Sequence, residues 1–115
     1  MNAAYQSQYR SKLRTPEQII EMIKDDYFIS AGQVAGGPTT LFSHLHEIKG
    51  RARNVLLQTS LMLGDYKFLD PDMAEWLRYE AWFYSAPERR MHPSGMMTFM
   101  PAHLSGTGPR KLSYK

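Results

Sequence analysis

The feature that most restricts the fold of this chain is the order of one stretch: a short apolar run, a glycine-rich turn, a segment of helical period, and a second apolar run. Tyr27-Phe28-Ile29-Ser30-Ala31 has the aromatic and branched character of a strand. Gly32-Gln33-Val34-Ala35-Gly36-Gly37-Pro38 follows directly, and Leu41, Phe42, Leu45 and Ile48 then recur at helical spacing between Thr39 and Ile48. Lys49-Gly50 supplies a helix stop, after which Val55-Leu56-Leu57-Gln58-Thr59 reads as a second strand of the kind buried on both faces. Two strands joined through a helix must run parallel, and the crossover is right-handed. The expected fold class is therefore α/β, an open, mostly parallel sheet with flanking helices.

The remaining segments extend this pattern. Thr15-Pro16-Glu17-Gln18 has the form of a helix start, with a threonine cap, proline at the first helical position and glutamine reaching back at the third. Ile19, Ile20, Met22 and Ile23 supply its apolar stripe. Asp70-Pro71-Asp72 predicts a short helix through Trp76 and Leu77, Ala81-Trp82-Phe83-Tyr84 a third strand, and Met97-Thr98-Phe99-Met100 a fourth that ends at Pro101. Glu88 to Gly95 reads as loop or short helix. From Ser105 the apolar period is lost, so residues 1–105 are expected as a partial domain and residues 106–115 as a flexible basic tail. A parallel sheet needs cover on both faces, so a last strand without a following helix marks an incomplete domain.

Composition narrows the functional classes. The chain has 115 residues, 43% hydrophobic and 22% charged, and no apolar stretch approaches the roughly 18 residues that a membrane span needs. The net charge of +3 is scattered, with a local excess only at Arg89, Arg90, Arg110, Lys111 and Lys115, which does not form a nucleic-acid footprint. The absence of cysteine excludes disulfides, thiol catalysis and thiolate metal sites. The first residues lack the pattern of a secretory signal, so the expected location is cytoplasmic.

The turn from Gly32 to Pro38 is the principal candidate site. Glycines let backbone approach a ligand, and the amides at a helix start favour a carboxylate or phosphate. A tight connection with no ligand explains the same residues equally well. The order G-x-x-x-G-G-P matches neither the dinucleotide fingerprint nor the P-loop, which excludes NAD and ATP on motif grounds. Ser60, Gly64, Pro101 and His103 follow other expected strands and would share the carboxyl edge of the sheet, where α/β proteins collect ligands. His44 and His46 point about 200° apart on a helix and cannot share a metal. His44 and Glu47 can pair, but two ligands do not make a metal site. Glu88, beside Arg89 and Arg90, reads as part of a surface ion pair. Trp76, Trp82, Phe83, Met96, Met97 and Met100 read as core.

Taken together, the strand leading into Gly32-x-x-x-Gly36-x-Pro38, the entry Tyr9-Arg10-Ser11-Lys12-Leu13, and Phe99-Met100-Pro101-Ala102-His103-Leu104-Ser105 resemble the amino-terminal domain of the acetyl-CoA hydrolase/transferase family. That family includes the 4-hydroxybutyrate and butyryl-CoA:acetate CoA-transferases, and the resemblance runs from about Tyr5 to about Ser105. It implies a CoA-transferase-type domain, one of two in a much longer chain, that helps move coenzyme A between an acyl-CoA and a short carboxylate. It also implies a nucleophilic glutamate carried by the second half. On the family's pattern Gly32, Gly36, Gly37 and Pro38 shape the acyl or carboxylate pocket, with His103 and Ser105 near its rim and no metal.

The expected partners are the carboxyl-terminal domain or a second copy, with no nucleic acid and no membrane. None of Glu17, Glu21, Glu47, Glu75, Glu80 or Glu88 stands in the glycine-flanked setting of the nucleophile, so the chain alone is expected to be inactive. Two other readings use the same features: a non-catalytic interaction module assembling through an exposed sheet face, and a small-anion or nucleotide-binding domain built on the glycine turn.

Overall fold

A computed structural model of the chain describes residues 3–114. Four parallel strands form one sheet: β1 (Phe28–Ser30), β2 (Val55–Gln58), β3 (Leu77–Ala81) and β4 (Met97–Phe99), in the spatial order β1-β2-β3-β4. The helices are α1 (Ala3–Lys12), α2 (Pro16–Met22), α3 (Thr39–His44), α4 (Ala86–Met91) and α5 (Thr107–Ser113). The fold class read from the sequence is the one observed.

Sequential strand order has a physical consequence. When every crossover has the same hand and each strand is added on the same side, all crossovers lie over one face of the sheet. Val55 and Leu57 of β2, with Leu77, Tyr79 and Ala81 of β3, turn into that layer and are buried with Ile20, Phe42, Leu45, Ile48 and Phe68. The opposite face carries Phe28, Leu56 and Arg78 in one row and Ser30, Gln58, Glu80 and Thr98 in the next. Ser30, Arg78 and Thr98 are exposed there. Tyr114 crosses this face: its ring stacks on Phe28 at 4.7 Å and its hydroxyl donates to Glu80 Oε2 at 2.7 Å.

Several elements differ from expectation. The third strand is Leu77–Ala81, ahead of the aromatic run, because Leu-Arg-Tyr-Glu-Ala alternates between core and solvent while Trp82 and Phe83 lie beyond the strand end. Segment 70–77 is not an α-helix. The β2 to β3 crossover consists of two 3-10 turns, Lys67–Leu69 and Pro71–Met73, pinned by buried Phe68, Leu69 and Met73. The helical segment after the glycine turn is α over Thr39–His44 and tightens to 3-10 over Leu45–Ile48. The end of the chain, expected as a flexible basic tail, holds α5. The Lys111 Nζ of α5 lies 4.9 Å from the centre of the Trp82 ring. Lys115 falls outside the described residues, as do Met1 and Asn2.

At the start of α2 the expected cap is present. The Thr15 hydroxyl accepts from the Gln18 amide at 3.3 Å, and Gln18 Oε1 accepts from the Thr15 amide at 3.0 Å. None of the residues of α1 is buried, and Tyr5 and Tyr9 are largely exposed.

Candidate functional site

The Gly32–Pro38 turn lies at the carboxyl end of β1, as expected, but its chemistry differs from a cradle of free amides. Val34–Gly36 forms a 3-10 turn, and three amides at and after its end are bonded internally. The Gly36 amide donates to the Gln33 carbonyl at 2.8 Å, the Gly37 amide to the Val34 carbonyl at 3.2 Å, and the Thr39 amide to the Gly37 carbonyl at 2.9 Å. Pro38 has no amide hydrogen.

The glycines differ sharply in why they are there. A Cβ on Gly32 would overlap the carbonyl oxygen of Gly36, so the turn closes on itself only with glycine at this position. A Cβ on Gly37 would sit 3.2 Å from the Phe42 ring, tighter than ordinary contact, whereas one on Gly36 meets nothing within 4 Å.

The second wall comes from the residues after β2. The Thr59 hydroxyl donates to the Gly32 carbonyl at 2.7 Å, tying the two strand ends together. Between the walls lies a small, partly open cavity of about 70 Å³, lined by Gly32, Val34, Gly37, Thr59, Ser60 and Met62 among others. This is about half the ~150 Å³ that accommodates benzene, which limits an occupant to a few heavy atoms. Both walls are strained. Val34 has φ 50° and Leu61 φ 53°, in the left-handed region that costs a residue with a Cβ roughly 1–2 kcal/mol, and Val34 is β-branched. A larger, open hollow of about 590 Å³ lies on the outer side of the turn, lined by Arg14, Pro16, Ile19, Gly37, Pro38 and Thr39 to Leu41. Gly37 belongs to both.

The expected site residues do not all meet. Gly32 and Gly37 line the small cavity, and Gly37 and Pro38 the hollow; Gly36 supplies the carbonyl packed against Gly32. His103 and Ser105 follow β4, at the opposite edge of a four-stranded sheet, and both are exposed. Ser60 is fully buried, and its Oγ accepts from the Trp82 amide at 2.8 Å. Gly64 packs against Tyr66. His44 Nδ1 lies 2.8 Å from Glu47 Oε1, the expected pair. Among the described residues, no group of three or more His, Cys, Asp or Glu side chains could hold a metal, and no helix is long and apolar enough to cross a membrane.

Glu88 corrects the sequence reading. It is completely buried and makes no surface ion pair. Its Oε1 accepts from the Met62 amide and the Tyr79 hydroxyl, each at 2.8 Å, and its Oε2 from the Ser85 amide at 2.9 Å and from the Ser85 hydroxyl. Burial alone would raise its pKa, but the hydrogen bonds from Ser85, the Met62 amide and Tyr79 outweigh burial and hold it below the usual carboxylate range. Burial, with the carboxylate beside it, pushes the Tyr79 phenol far above its ordinary value. The signal for this group was legible: Ser85-Ala86-Pro87-Glu88 is the same capping pattern as Thr15-Pro16-Glu17-Gln18.

The family model of the acetyl-CoA hydrolase/transferase N-terminal domain matches residues 1–114. No curated protein matches the sequence. Among solved structures, RipA from Yersinia pestis matches with a TM-score of 0.77 at 20% identity, over 89% of this chain and 26% of that one. Two single-residue variants of RipA match with TM-scores of 0.78, at 21% and 20% identity, over 91% and 94% of this chain and 26% and 27% of theirs. The fold is shared with these proteins, and the chain spans about a quarter of their length.

Proposed function

We propose that this chain, which belongs to the acetyl-CoA hydrolase/transferase family through its N-terminal domain, supplies one wall of the acyl or carboxylate pocket in an enzyme that moves coenzyme A between an acyl-CoA and a short-chain carboxylate. The observation that carries this reading is the family match across residues 1–114. The position of the small cavity supports it, since ligands of α/β proteins gather beyond the carboxyl ends of strands and the volume suits a carboxylate or a short acyl group. Coenzyme A itself is far too large for that cavity and would lie in more open space, such as the hollow beside Arg14.

In this reading the nucleophilic glutamate belongs to the part of the family fold outside this chain. Glu88 is unsuited to the role, because both its oxygens are occupied by donors and it has no access to solvent. The role of this domain is then to shape and desolvate the pocket around the reacting carboxylate while the second half performs the acyl chemistry.

The test is to mix the purified chain with a polypeptide carrying the second half of a family enzyme and to follow acyl transfer from acetyl-CoA to butyrate. Gly37→Leu, which projects into both the cavity and the hollow, is expected to abolish transfer. Kinetics unchanged by that substitution would rule out the pocket role.

A second reading has an observation of its own. Parallel sheets are normally covered on both faces, yet Ser30, Arg78 and Thr98 are exposed on the second face and Leu56 is only partly buried. Beneath Tyr114 and Glu80, buried Gln58 keeps an Oε1 without a hydrogen-bond partner among the described residues. An interaction module would use this face to bind the carboxyl-terminal domain or a second copy. A strictly monomeric mass together with no binding to the second half would exclude it.

A further inference from the structure

We propose that Glu88 is a positioning residue: its buried carboxylate holds the chain from Ser60 to Met62 in the bend that forms the second wall of the cavity. The inference rests on the cavity being the ligand pocket only for its functional consequence; the positioning itself is a matter of geometry.

The segment after β2 runs without helix or strand, yet each residue from Thr59 to Met62 has its own anchor. Thr59 is tied to Gly32. The Ser60 hydroxyl accepts from the Trp82 amide at 2.8 Å. The Leu61 amide donates to the Phe83 carbonyl at 3.4 Å, a long bond. The Met62 amide donates to Glu88 at 2.8 Å, and the Ser85 hydroxyl, whose one proton is shared between Glu88 and the Met62 carbonyl, lies 2.8 Å from that carbonyl. Leu61, in the middle, has a backbone conformation that a non-glycine residue keeps only when its surroundings over-determine it.

Glu88 is the centre of that constraint. One oxygen reaches Met62 in the wall and Tyr79 in β3, and the other reaches Ser85 at the start of α4, so a single side chain ties the wall to the sheet and to the next helix. A buried carboxylate is a costly way to fill core space, and an apolar residue of similar volume is often at least as stabilising. What an apolar residue cannot do is accept hydrogen bonds from three separate segments. Three of the cavity's lining residues, Thr59, Ser60 and Met62, belong to the held stretch, so its geometry sets the width of the pocket.

Amide hydrogen exchange on the purified chain tests this. In Glu88→Gln one acceptor oxygen becomes an NH2; the oxygen that remains serves the Ser85 amide, so the NH2 faces the Met62 amide, which loses its acceptor, and the Tyr79 hydroxyl, which can turn to accept from it. Exchange at Leu61 to Leu63 is expected to rise about ten- to a hundred-fold while Val55 to Gln58 stay near wild type, as for local opening. Tyr79→Phe removes a buried donor from the same carboxylate but leaves the Met62 bond, so exchange at Leu61 to Leu63 should hardly move. A purely structural role would loosen both variants alike and overturn the proposal, as would a Glu88→Gln wall that exchanges like wild type. Should Glu88→Gln not fold, Ser85→Ala removes the bond to the Met62 carbonyl and is expected to free the same amides; no change there overturns the proposal too. Failure of acetate or butyrate to slow exchange in the wild-type wall would count against the carboxylate pocket and leave the part played by Glu88 standing.

Discussion

Gly32 and Gly36 belong to one motif and are indistinguishable in sequence, yet the structure assigns them opposite sensitivities. In Gly32→Ala the new methyl would overlap the Gly36 carbonyl oxygen and lie 2.8 Å from the carbonyl carbon. Both are backbone atoms of a turn already pinned by the Thr59 to Gly32 bond and the Gly36 to Gln33 bond, so neither side can yield cheaply. Overpacking of this kind costs about 1–3 kcal/mol. In Gly36→Ala the methyl meets nothing within 4 Å, and its main effect is to restrict the unfolded chain, a gain of about 0.4–1 kcal/mol. The two variants should therefore differ by about 1.5–4 kcal/mol, or roughly 5–15 °C in melting temperature for a domain of this size. Thermal unfolding followed by far-ultraviolet circular dichroism, with urea titration as a check, reads the difference directly. A Gly36→Ala protein that melts at or below Gly32→Ala would refute the packing of the turn.

Two further outcomes follow from the same geometry. Because the hydrogen bonds of Glu88 depress its folded-state pKa, the stability it contributes is full above the ordinary glutamate pKa of about 4.3 and is lost as pH falls through the depressed value. The gap in urea midpoint between wild type and Glu88→Gln should thus be wide at neutral pH and narrow in acid, and a gap independent of pH would contradict the hydrogen-bonded carboxylate. Val34 holds φ 50° and is nearly half exposed, so Val34→Asn, which tolerates that region, should gain up to about 1 kcal/mol in a melting experiment; a clear loss would show that Val34 is not strained.

The parts of the fold that were legible are those in which local chemistry and tertiary burial agree. The strand into Gly32, the helix start at Thr39 and the run Val55-Leu56-Leu57 each carry a period or a turn signal that the sheet then uses. The third strand departs from expectation because bulk at Trp82 and Phe83 hides the quieter alternation of Leu77, Tyr79 and Ala81. Crossover 59–76 has no period at all, since its shape is set by Phe68 entering the core and by the anchors on Thr59 to Met62. The glycine turn follows β1 as its residues imply, but the amides of Gly36, Gly37 and Thr39 bond within it, and internal bonding of that kind is invisible in a list of residues. The arginine neighbours of Glu88 suggest a surface residue, whereas the capping pattern at Ser85 points to the helix start that buries it.

The most direct measurement is thioester exchange by the purified chain alone, with acetyl-CoA as donor and butyrate as acceptor, followed by the formation of butyryl-CoA. A domain that shapes the pocket while the nucleophile resides elsewhere should produce none above the uncatalysed rate, and should produce it once a second-half polypeptide is added. Turnover by the 115-residue chain on its own would contradict the account, because a nucleophile would then have to lie among its own residues.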